Sequence, residues 1–437
     1  MQSTPSSLMR YLLRIGSHRW LTATNATATN TTLTTTSTTV TANGLPITGV
    51  RQQSTSVPSN ISAAVVEANE PIASGGSGAD WDRAIANAEQ LVGHQTVNYS
   101  LRSLLSDEVY NVALHLNKLV GTNHPLLETA KRLTYTGHKH IQTRGLIVLL
   151  MSKAAGHPLT SIDYIDAQQL AGISGRQRSL AEMTEMIYSA HLIHRGILNL
   201  QPSSLLLSQP QSQPTKTKDL HFGNKMSVLS GDFLLASVWK GLGELRDTKV
   251  VELMATAIGD FMEGQFVIET QSQFPTAQCG RDFWEERNFL RIGSLQANSC
   301  QSAVQLAGHS DSLQLRAYNL GRNIALGWQA FNELQPYIDS SVQQVNNSTM
   351  DLISAPVCLH IENNGQSLDE IVQNGSDNQS DYDYNKLHVL IRNGPAIDKT
   401  RQLIREYTDR ALESLEGFPK CDATQALSNI VFAIRDQ

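Results

Sequence analysis

Residues 177–200 read QRSLAEMTEMIYSAHLIHRGILNL and have the periodicity of a helix with one buried face. The inward positions step by three and four residues, as one buried stripe on a helix requires. They are Leu180, Met183, Ile187, Ala190, His194 and Ile197. His191 and His194 could be read as a zinc pair, but no third ligand follows at a suitable spacing. Packed histidines are the simpler interpretation, and the stretch predicts a long core helix.

The chain from residue 81 onward repeats this helical period, and no alternating strand pattern of useful length interrupts it. We therefore predict an all-α fold. The helix at 311–334 is expected to stop near Leu334, because Pro336 would cost roughly 3 kcal/mol inside a helix. The Gln/Ser/Pro-rich residues 201–219 are expected to form a mobile insertion. The predicted helices are 81–92, 100–120, 124–135, 138–155, 176–200, 220–243, 247–270, 282–308, 311–334, 352–373, 381–393, 396–417 and 421–435.

Composition and charge exclude several classes of protein. A net charge of −6 gives no reason to propose nucleic-acid binding. No run approaches the ~20 apolar residues of a membrane span, and the most apolar stretch, residues 145–155, has the length of a core helix. The four cysteines are scattered singly, which suits a reducing compartment.

The first 66 residues contain four arginines and neither aspartate nor glutamate. Between residues 8 and 20 the apolar side chains cluster on one helical side, with Arg10 and Arg14 opposite. An arginine-bearing, Ser/Thr-rich, acid-free amphipathic start is typical of a mitochondrial transit peptide. We expect residues 1–75 to be a transit peptide and disordered leader that directs the chain to the mitochondrial matrix. Residues 76–437 are then expected to form one all-α domain.

Two of the predicted helices resemble the metal-binding helices of the trans-polyprenyl diphosphate synthases. In that family each helix carries Asp-Asp-x-x-Asp, and the corresponding stretches here are residues 177–200 and residues 321–336, which read GRNIALGWQAFNELQP. At the six acidic positions this chain has Arg195, Gly196, Asn199, Asn332, Glu333 and Pro336. The resemblance implies the isoprenoid synthase (trans-prenyltransferase) helical bundle, with one motif acid remaining.

Other segments carry the same resemblance. Residues 231–236 (GDFLLA) are similar to the segment that follows the first acidic motif. Residues 289–308 are similar to the family's Lys-Thr-Ala helix, with Arg291 in place of the lysine. Residues 141–156 are similar to the segment that binds isopentenyl diphosphate, where Arg144 is the remaining cation.

The resemblance implies possible diphosphate contacts for three cations, which are Arg144, Arg195 and Arg291. Exposed or partner-directed salt bridges are the simpler expectation for these side chains. Ala190, five residues before Arg195, stands where the family sets product length by side-chain bulk, so it is a candidate for the groove of a long prenyl chain.

The missing acids bear directly on catalysis. Departing diphosphate must be neutralised, which the family achieves with Mg²⁺ held between its two acidic clusters. Mg²⁺ prefers carboxylate oxygens in octahedral geometry, and Glu333 alone supplies too few. A guanidinium about 4 Å away would repel each unit of metal charge by roughly 4 kcal/mol at an effective dielectric near 20. We therefore expect this chain to bind no metal cofactor and to perform no chemistry by itself.

Within the family the resemblance is greatest to the non-catalytic subunits of heteromeric decaprenyl or solanesyl diphosphate synthases. Those enzymes make the ubiquinone side chain from farnesyl or geranylgeranyl diphosphate and isopentenyl diphosphate. The resemblance implies a heterotetramer with a catalytic homologue that holds the Mg²⁺, and a shared groove for the long apolar prenyl chain. Interface candidates lie on one apolar helix and are Phe233, Leu234, Val238 and Trp239.

Two alternatives from other classes stay open on the sequence. An active prenyltransferase could use a rebuilt metal site, with Glu333, Asp232 and Glu185 as ligands. It predicts Mg²⁺-dependent condensation by the isolated chain. A stand-alone lipid-binding scaffold predicts that removal of the chain leaves polyprenyl diphosphate synthesis unchanged.

Overall fold

A computed structural model describes residues 78–93, 143–156, 172–198, 214–271, 279–338, 351–372 and 384–435. The predicted leader and the predicted helices at 100–120 and 124–135 lie outside these ranges. The described helices are α1 (Gly78–Val92), α2 (Thr143–Ala155), α3 (Gly175–His194), α4 (Pro214–Leu245), α5 (Thr248–Gln271), α6 (Arg281–Asn288), α7 (Ser294–Leu306), α8 (Asp311–Ile338), α9 (Ala355–Val372), α10 (Tyr384–Arg392), α11 (Ala396–Leu415) and α12 (Asp422–Arg435). No strand occurs in the described ranges, and none of their helices is both long and apolar enough to cross a bilayer.

Helix α7 lies at the centre of the bundle. It packs against α2, α3, α5 and α8, while α8 also packs along α11. Several of its buried polar side chains are hydrogen-bonded: the Asn298 amide donates to the carbonyl of Ser294 (2.9 Å), and the Thr184 hydroxyl of α3 donates to Ser299 (2.9 Å). Buried polar groups that are paired in this way cost little, so α7 can be surrounded on all sides.

Two glycines let helices approach closely. A Cβ atom at Gly321 of α8 would lie 2.6 Å from the backbone oxygen of Gln296 in α7. A Cβ atom at Gly231 of α4 would overlap the imidazole ring of His194 in α3. Gly231 belongs to the GDFLLA segment, so part of that segment's pattern is explained by the close contact between α3 and α4.

Helix α3 ends earlier than predicted. A capping box starts it, because the Ser174 hydroxyl accepts from the Gln177 N–H and the Gln177 side chain accepts from the Ser174 N–H. It stops at His194 instead of residue 200, where Gly196 weakens the helix by about 1 kcal/mol relative to alanine. Beyond that point the Asn224 side chain bonds both the N–H (2.8 Å) and the carbonyl (2.7 Å) of Leu198, and Ile197, predicted to face inward, is exposed.

Helix α8 ends later than predicted, because it continues through Pro336 to Ile338. Tertiary contacts offset the missing proline N–H. Tyr337 is buried and stacks on His388 of α10 with ring centroids 5.1 Å apart. Nε2 of His388 also lies 2.9 Å from the Pro336 carbonyl oxygen. Packing of the last turn therefore overrides the local helix penalty.

Two further differences concern helix starts and regularity. Helix α4 begins at Pro214, within the segment 201–219 that was predicted to be a loop. The predicted helix at 282–308 is interrupted by a single π turn, Phe289–Gly293, between α6 and α7. Such turns occur frequently at functional sites, and this one carries Arg291.

Candidate functional site

A cavity of about 650 Å³ opens where α1, α2, α3, α8, α12 and the π turn meet. This volume lies in the range of roughly 300–1,000 Å³ that is usual for small-molecule sites. The wall combines aromatic and aliphatic side chains with cations and amides. The lining residues are Trp81, Asp82, Thr143, Arg144, Ile147, Tyr188, His191, Arg195, Arg291, Ile292, Gln296, Ile324, Ala325, Trp328, Gln329, Phe331, Asn332, Gln335 and Ile434.

The three arginines that the family resemblance singled out all line this one cavity. They come from different parts of the fold: Arg144 from the first turn of α2, Arg195 from the C-terminal cap of α3, and Arg291 from the π turn. The guanidinium carbon of Arg144 lies 3.5 Å from the ring centroid of Tyr188. Neither Arg195 nor Arg291 forms an ion pair with a carboxylate in the described ranges, and salt bridges from these two to a partner chain stay a prediction.

The pKa of His191 shows that the cavity is positively charged. Burial and then the positive charges of Arg195, Arg291 and Arg144 lower its pKa to about 3. The ring meets Phe261 edge-on at 4.7 Å, so it is a packed neutral imidazole, as the sequence indicated. His194 points elsewhere, with Nε2 lying 3.4 Å from the carboxylate of Asp232 in α4.

The second motif presents neutral groups to the cavity. Asn332, Gln329 and Gln335 line it. Glu333, the one acid kept, is bound by protein donors: the Trp284 indole N–H at 2.6 Å, the Gln329 amide at 2.7 Å and the Ala355 backbone N–H at 2.7 Å. Burial raises the pKa of the Glu333 carboxyl. Glu333 therefore ties α8 to α6 and to the start of α9, which is a structural role.

The acids proposed for a rebuilt metal site do not come together. Glu333 is held by Trp284 on α6, Asp232 faces His194, and Glu185 accepts from the Gly145 N–H at the start of α2. In the part of the chain that the structure describes, no three histidine, cysteine, aspartate or glutamate side chains are grouped so that they could hold a metal ion. The rebuilt metal site is therefore wrong for these three residues.

The cavity does not fit Mg²⁺. This ion requires several carboxylate or other hard oxygen donors in a near-octahedral set. The lining offers one carboxylate, Asp82, against three guanidinium groups, and the described motif positions that reach the cavity are Arg195 and Asn332. Asn199 lies outside the described residues. The arrangement is suited to an anion.

The interface candidates divide into two groups on α4. Leu234 and Val238 are buried inside the chain, whereas Phe233 and Trp239 are 36 % and 46 % exposed. Leu234 and Val238 are therefore core residues and cannot contact a partner. Ala190 is also core: it packs with Ile193 and Leu234 between α3 and α4 and does not line this cavity, so its assignment to a chain groove stays a prediction.

Sequence reasoning missed most of the cavity wall. Tyr188, His191 and Arg195 repeat at three and four residues on α3, and Trp328 and Asn332 repeat at four on α8. That spacing could have placed them on one face. Trp81, which stacks on Trp328 with centroids 4.1 Å apart, has no comparable signal because α1 is far away in sequence.

Glu185 is bonded to the start of α2, next to the cavity-lining Arg144, and gives a pH-dependent prediction. It accepts the Gly145 N–H at 2.7 Å, and burial raises its pKa to about 7 despite the nearby Arg144. Between pH 4.5 and 7 the folded state keeps a proton that the unfolded state releases, so stability is present at low pH and is lost as pH rises. The contribution of Glu185 to the free energy of unfolding should fall by at most about 3 kcal/mol over this window.

Glu185→Gln should remove that fall while its amide oxygen still accepts the Gly145 N–H. Urea unfolding at pH 4.5 and pH 7.5 measures the difference between wild type and variant, and the opposing contribution of His191 cancels because both proteins contain it. Glu252→Gln, an exposed position on α5, is the matched control and should behave as wild type. Parallel pH profiles for wild type and Glu185→Gln would contradict the prediction.

Comparisons with known proteins show the family of the chain. The family model for polyprenyl synthetase matches residues 124–387, so the chain belongs to that family. It is 42 % identical over 361 residues to the human all trans-polyprenyl-diphosphate synthase PDSS2, covering 82 % of this chain and 88 % of the relative. The solanesyl-diphosphate synthase 1, mitochondrial, of Oryza sativa subsp. japonica is 29 % identical, covering 75 % and 74 %.

A solved structure gives the same result for the fold. The apo form of an Arabidopsis medium/long-chain length prenyl pyrophosphate synthase superposes with a TM-score of 0.52 at 25 % identity, covering 77 % of this chain and 98 % of that one. The predicted all-α isoprenoid synthase bundle is therefore confirmed.

Proposed function

We propose that this chain is the non-catalytic subunit of a heteromeric trans-polyprenyl diphosphate synthase. The observation that carries the proposal is the positive charge of the cavity, whose wall contains three arginines and several amides. The catalytic members of the family instead hold Mg²⁺ with clusters of acids. The likeness to the PDSS2 relative at 42 % identity supports it. In this proposal the catalytic homologue binds Mg²⁺, and the two chains together extend farnesyl or geranylgeranyl diphosphate with isopentenyl diphosphate to a decaprenyl or solanesyl product for the ubiquinone side chain.

The partner surface in this proposal is the exposed side of α4, defined by Val228, Leu229, Phe233 and Trp239. These are four of the nine large apolar side chains that are exposed in the described ranges. At 100° per residue they fall on one side of the helix, roughly opposite Leu234 and Val238. A helix that is apolar on both sides is suited to lie between two subunits. By family resemblance, the proposed assembly is a heterotetramer of two copies of this chain and two copies of the catalytic homologue.

We also propose that the assembly works in the mitochondrial matrix. The acid-free, arginine-bearing first 66 residues support this location. So does the word mitochondrial in the name of the rice relative.

The test is to express the full chain alone, the catalytic homologue alone, and both together. Each preparation is assayed for Mg²⁺-dependent condensation of farnesyl diphosphate with isopentenyl diphosphate. We expect activity only in the co-expressed sample. Turnover by this chain alone would favour an active enzyme with another metal site, and full activity of the homologue alone would favour a scaffold outside the synthase. Either result overturns the proposal.

A further inference from the structure

The N-terminal half of α4 carries a row of basic side chains on its exposed side. Lys218, His221 and Lys225 are exposed and are spaced by three and four residues. At 100° per residue they fall within about 60° of one another, on the side opposite the buried residues of the helix. These three residues are called the basic row below.

The basic row continues the apolar partner surface of the same helix. Leu229 and Trp239 are exposed on the same side of α4 as Lys225, one turn and about four turns further along. The distance along the helix from Lys218 to Trp239 is about 31 Å. A chain that covers the apolar half of this side therefore comes within one turn of the basic row.

The lysines of the basic row are not used within the described fold. A helix N-terminus favours acids, yet the first turn of α4 contains Lys216 and no acid. Lys218 and Lys225 form no ion pair with a carboxylate in the described ranges, whereas Lys240, farther along α4, lies 4.0 Å from Glu244. The two lysines of the row can therefore pair with carboxylates of another chain.

The fold holds the basic row in a fixed position. Asn224, the neighbour of Lys225, accepts from the Leu198 N–H (2.8 Å) and donates to the Leu198 carbonyl (2.7 Å). Further along, Gly231 brings α4 close to α3. A charged surface that is already ordered loses little entropy when a partner binds.

We propose that the basic row binds an acidic surface of the catalytic homologue and guides that chain onto the apolar half of α4. The identity of the partner rests on the proposed function. Charge complementarity of this kind acts mainly on the rate of association and on the choice of partner. An anionic membrane is disfavoured, because Asp232, whose side chain is 61 % exposed on the same side, and the net charge of −6 would both be repelled by it.

Surface plasmon resonance of the full chain with the catalytic homologue tests the proposal at about 50 mM and about 500 mM NaCl. We expect wild type to associate at least about tenfold faster at the lower salt concentration, because salt screens the attraction. Lys218→Glu with Lys225→Glu should slow association by about tenfold or more at the lower salt concentration and change the dissociation rate by less than about threefold. Lys218→Arg with Lys225→Arg keeps both charges and should behave as wild type.

The matched control is Arg392→Glu with Lys420→Glu. Both residues are exposed, on α10 and just before α12, and the pair changes the net charge by the same amount. This control should associate at close to the wild-type rate. Equal slowing by the control would show an effect of overall charge, and wild-type kinetics of the Lys218/Lys225 variant would show that the row is not used. Either result overturns the proposal. Circular dichroism checks that each variant folds.

Vesicles that contain anionic phospholipid provide the remaining test. Binding of the isolated chain to them that is lost in the Lys218→Glu, Lys225→Glu variant, with association to the homologue unchanged, would assign the row to a membrane and overturn the proposal. In all of these outcomes the complex with the homologue still forms, so the proposed function stands. Absence of any complex with the wild-type chain would instead overturn the proposed function and this inference together.

Discussion

The double substitution Phe233→Asp and Trp239→Asp should abolish both co-purification with the catalytic homologue and condensation activity. Both side chains are exposed in the isolated chain, on the same side of α4. In the proposed assembly they would be buried, and an unpaired charge in a buried interface costs several kcal/mol. Two such charges should reduce complex formation by at least about a hundredfold, since each 1.4 kcal/mol is a factor of ten.

The matched control is Leu315→Asp on α8. Leu315 is 57 % exposed, more than either interface residue, but lies on a different helix. It should leave assembly and activity unchanged. Thermal unfolding of the isolated chains should be similar for wild type, the double variant and the control, because surface changes usually alter stability by less than about 0.5 kcal/mol. If the double variant assembles normally, the partner binds another surface.

Gly321→Leu should destabilise the isolated fold more than any other single change discussed above. The first side-chain carbon would lie 2.6 Å from the backbone oxygen of Gln296, and backbone cannot rotate away as a flexible side chain can. Helices α7 and α8 would have to separate, which disturbs the centre of the core. We expect a loss of at least about 3 kcal/mol in the free energy of unfolding, the upper part of the range for overpacking.

Gly259→Ala provides the comparison for Gly321→Leu. Gly259 is exposed in α5, and a Cβ atom there would meet no other atom within 4 Å. Alanine should therefore stabilise the chain by about 0.5–1 kcal/mol through helix propensity alone. Urea unfolding measures both changes. A small effect at Gly321 would show that α7 and α8 can adjust more easily than the close contact suggests.

The sequence was sufficient for the fold class, because helical periodicity depends on residues that are close along the chain. Helix ends were less predictable where distant residues decide them. The path of the chain after α3 is held by the bonds between Asn224 and Leu198, 26 residues apart, and the continuation of α8 through Pro336 is supported by His388. Neither contact can be recognised in the hydrophobic periodicity of the helix that it affects.

The sequence was sufficient to predict the cations of the candidate site, but not the other residues that line the cavity. Arg144, Arg195 and Arg291 were found because family motifs mark their positions, and the structure brings them to one cavity. Glu333 stood at a motif position as well, yet it faces Trp284 and the start of α9 instead of the cavity. Only the packing of α8 against α6 and α9 distinguishes an acid that faces a ligand from one that joins helices.

The early end of α3 has a consequence for protein engineering. The N–H of Arg195 still bonds the His191 carbonyl, but the N–H groups of Gly196 and Ile197 bond three residues back. Because Asn224 also holds Leu198, carboxylates introduced at 195 and 196 would not be followed by a continuing α-helical face. An attempt to build a catalytic Asp-rich motif into this chain would first require an extra helical turn after Arg195 and loss of the two hydrogen bonds between Asn224 and Leu198. Substitution of the motif residues alone would therefore not restore the helical geometry that a pair of motif carboxylates requires.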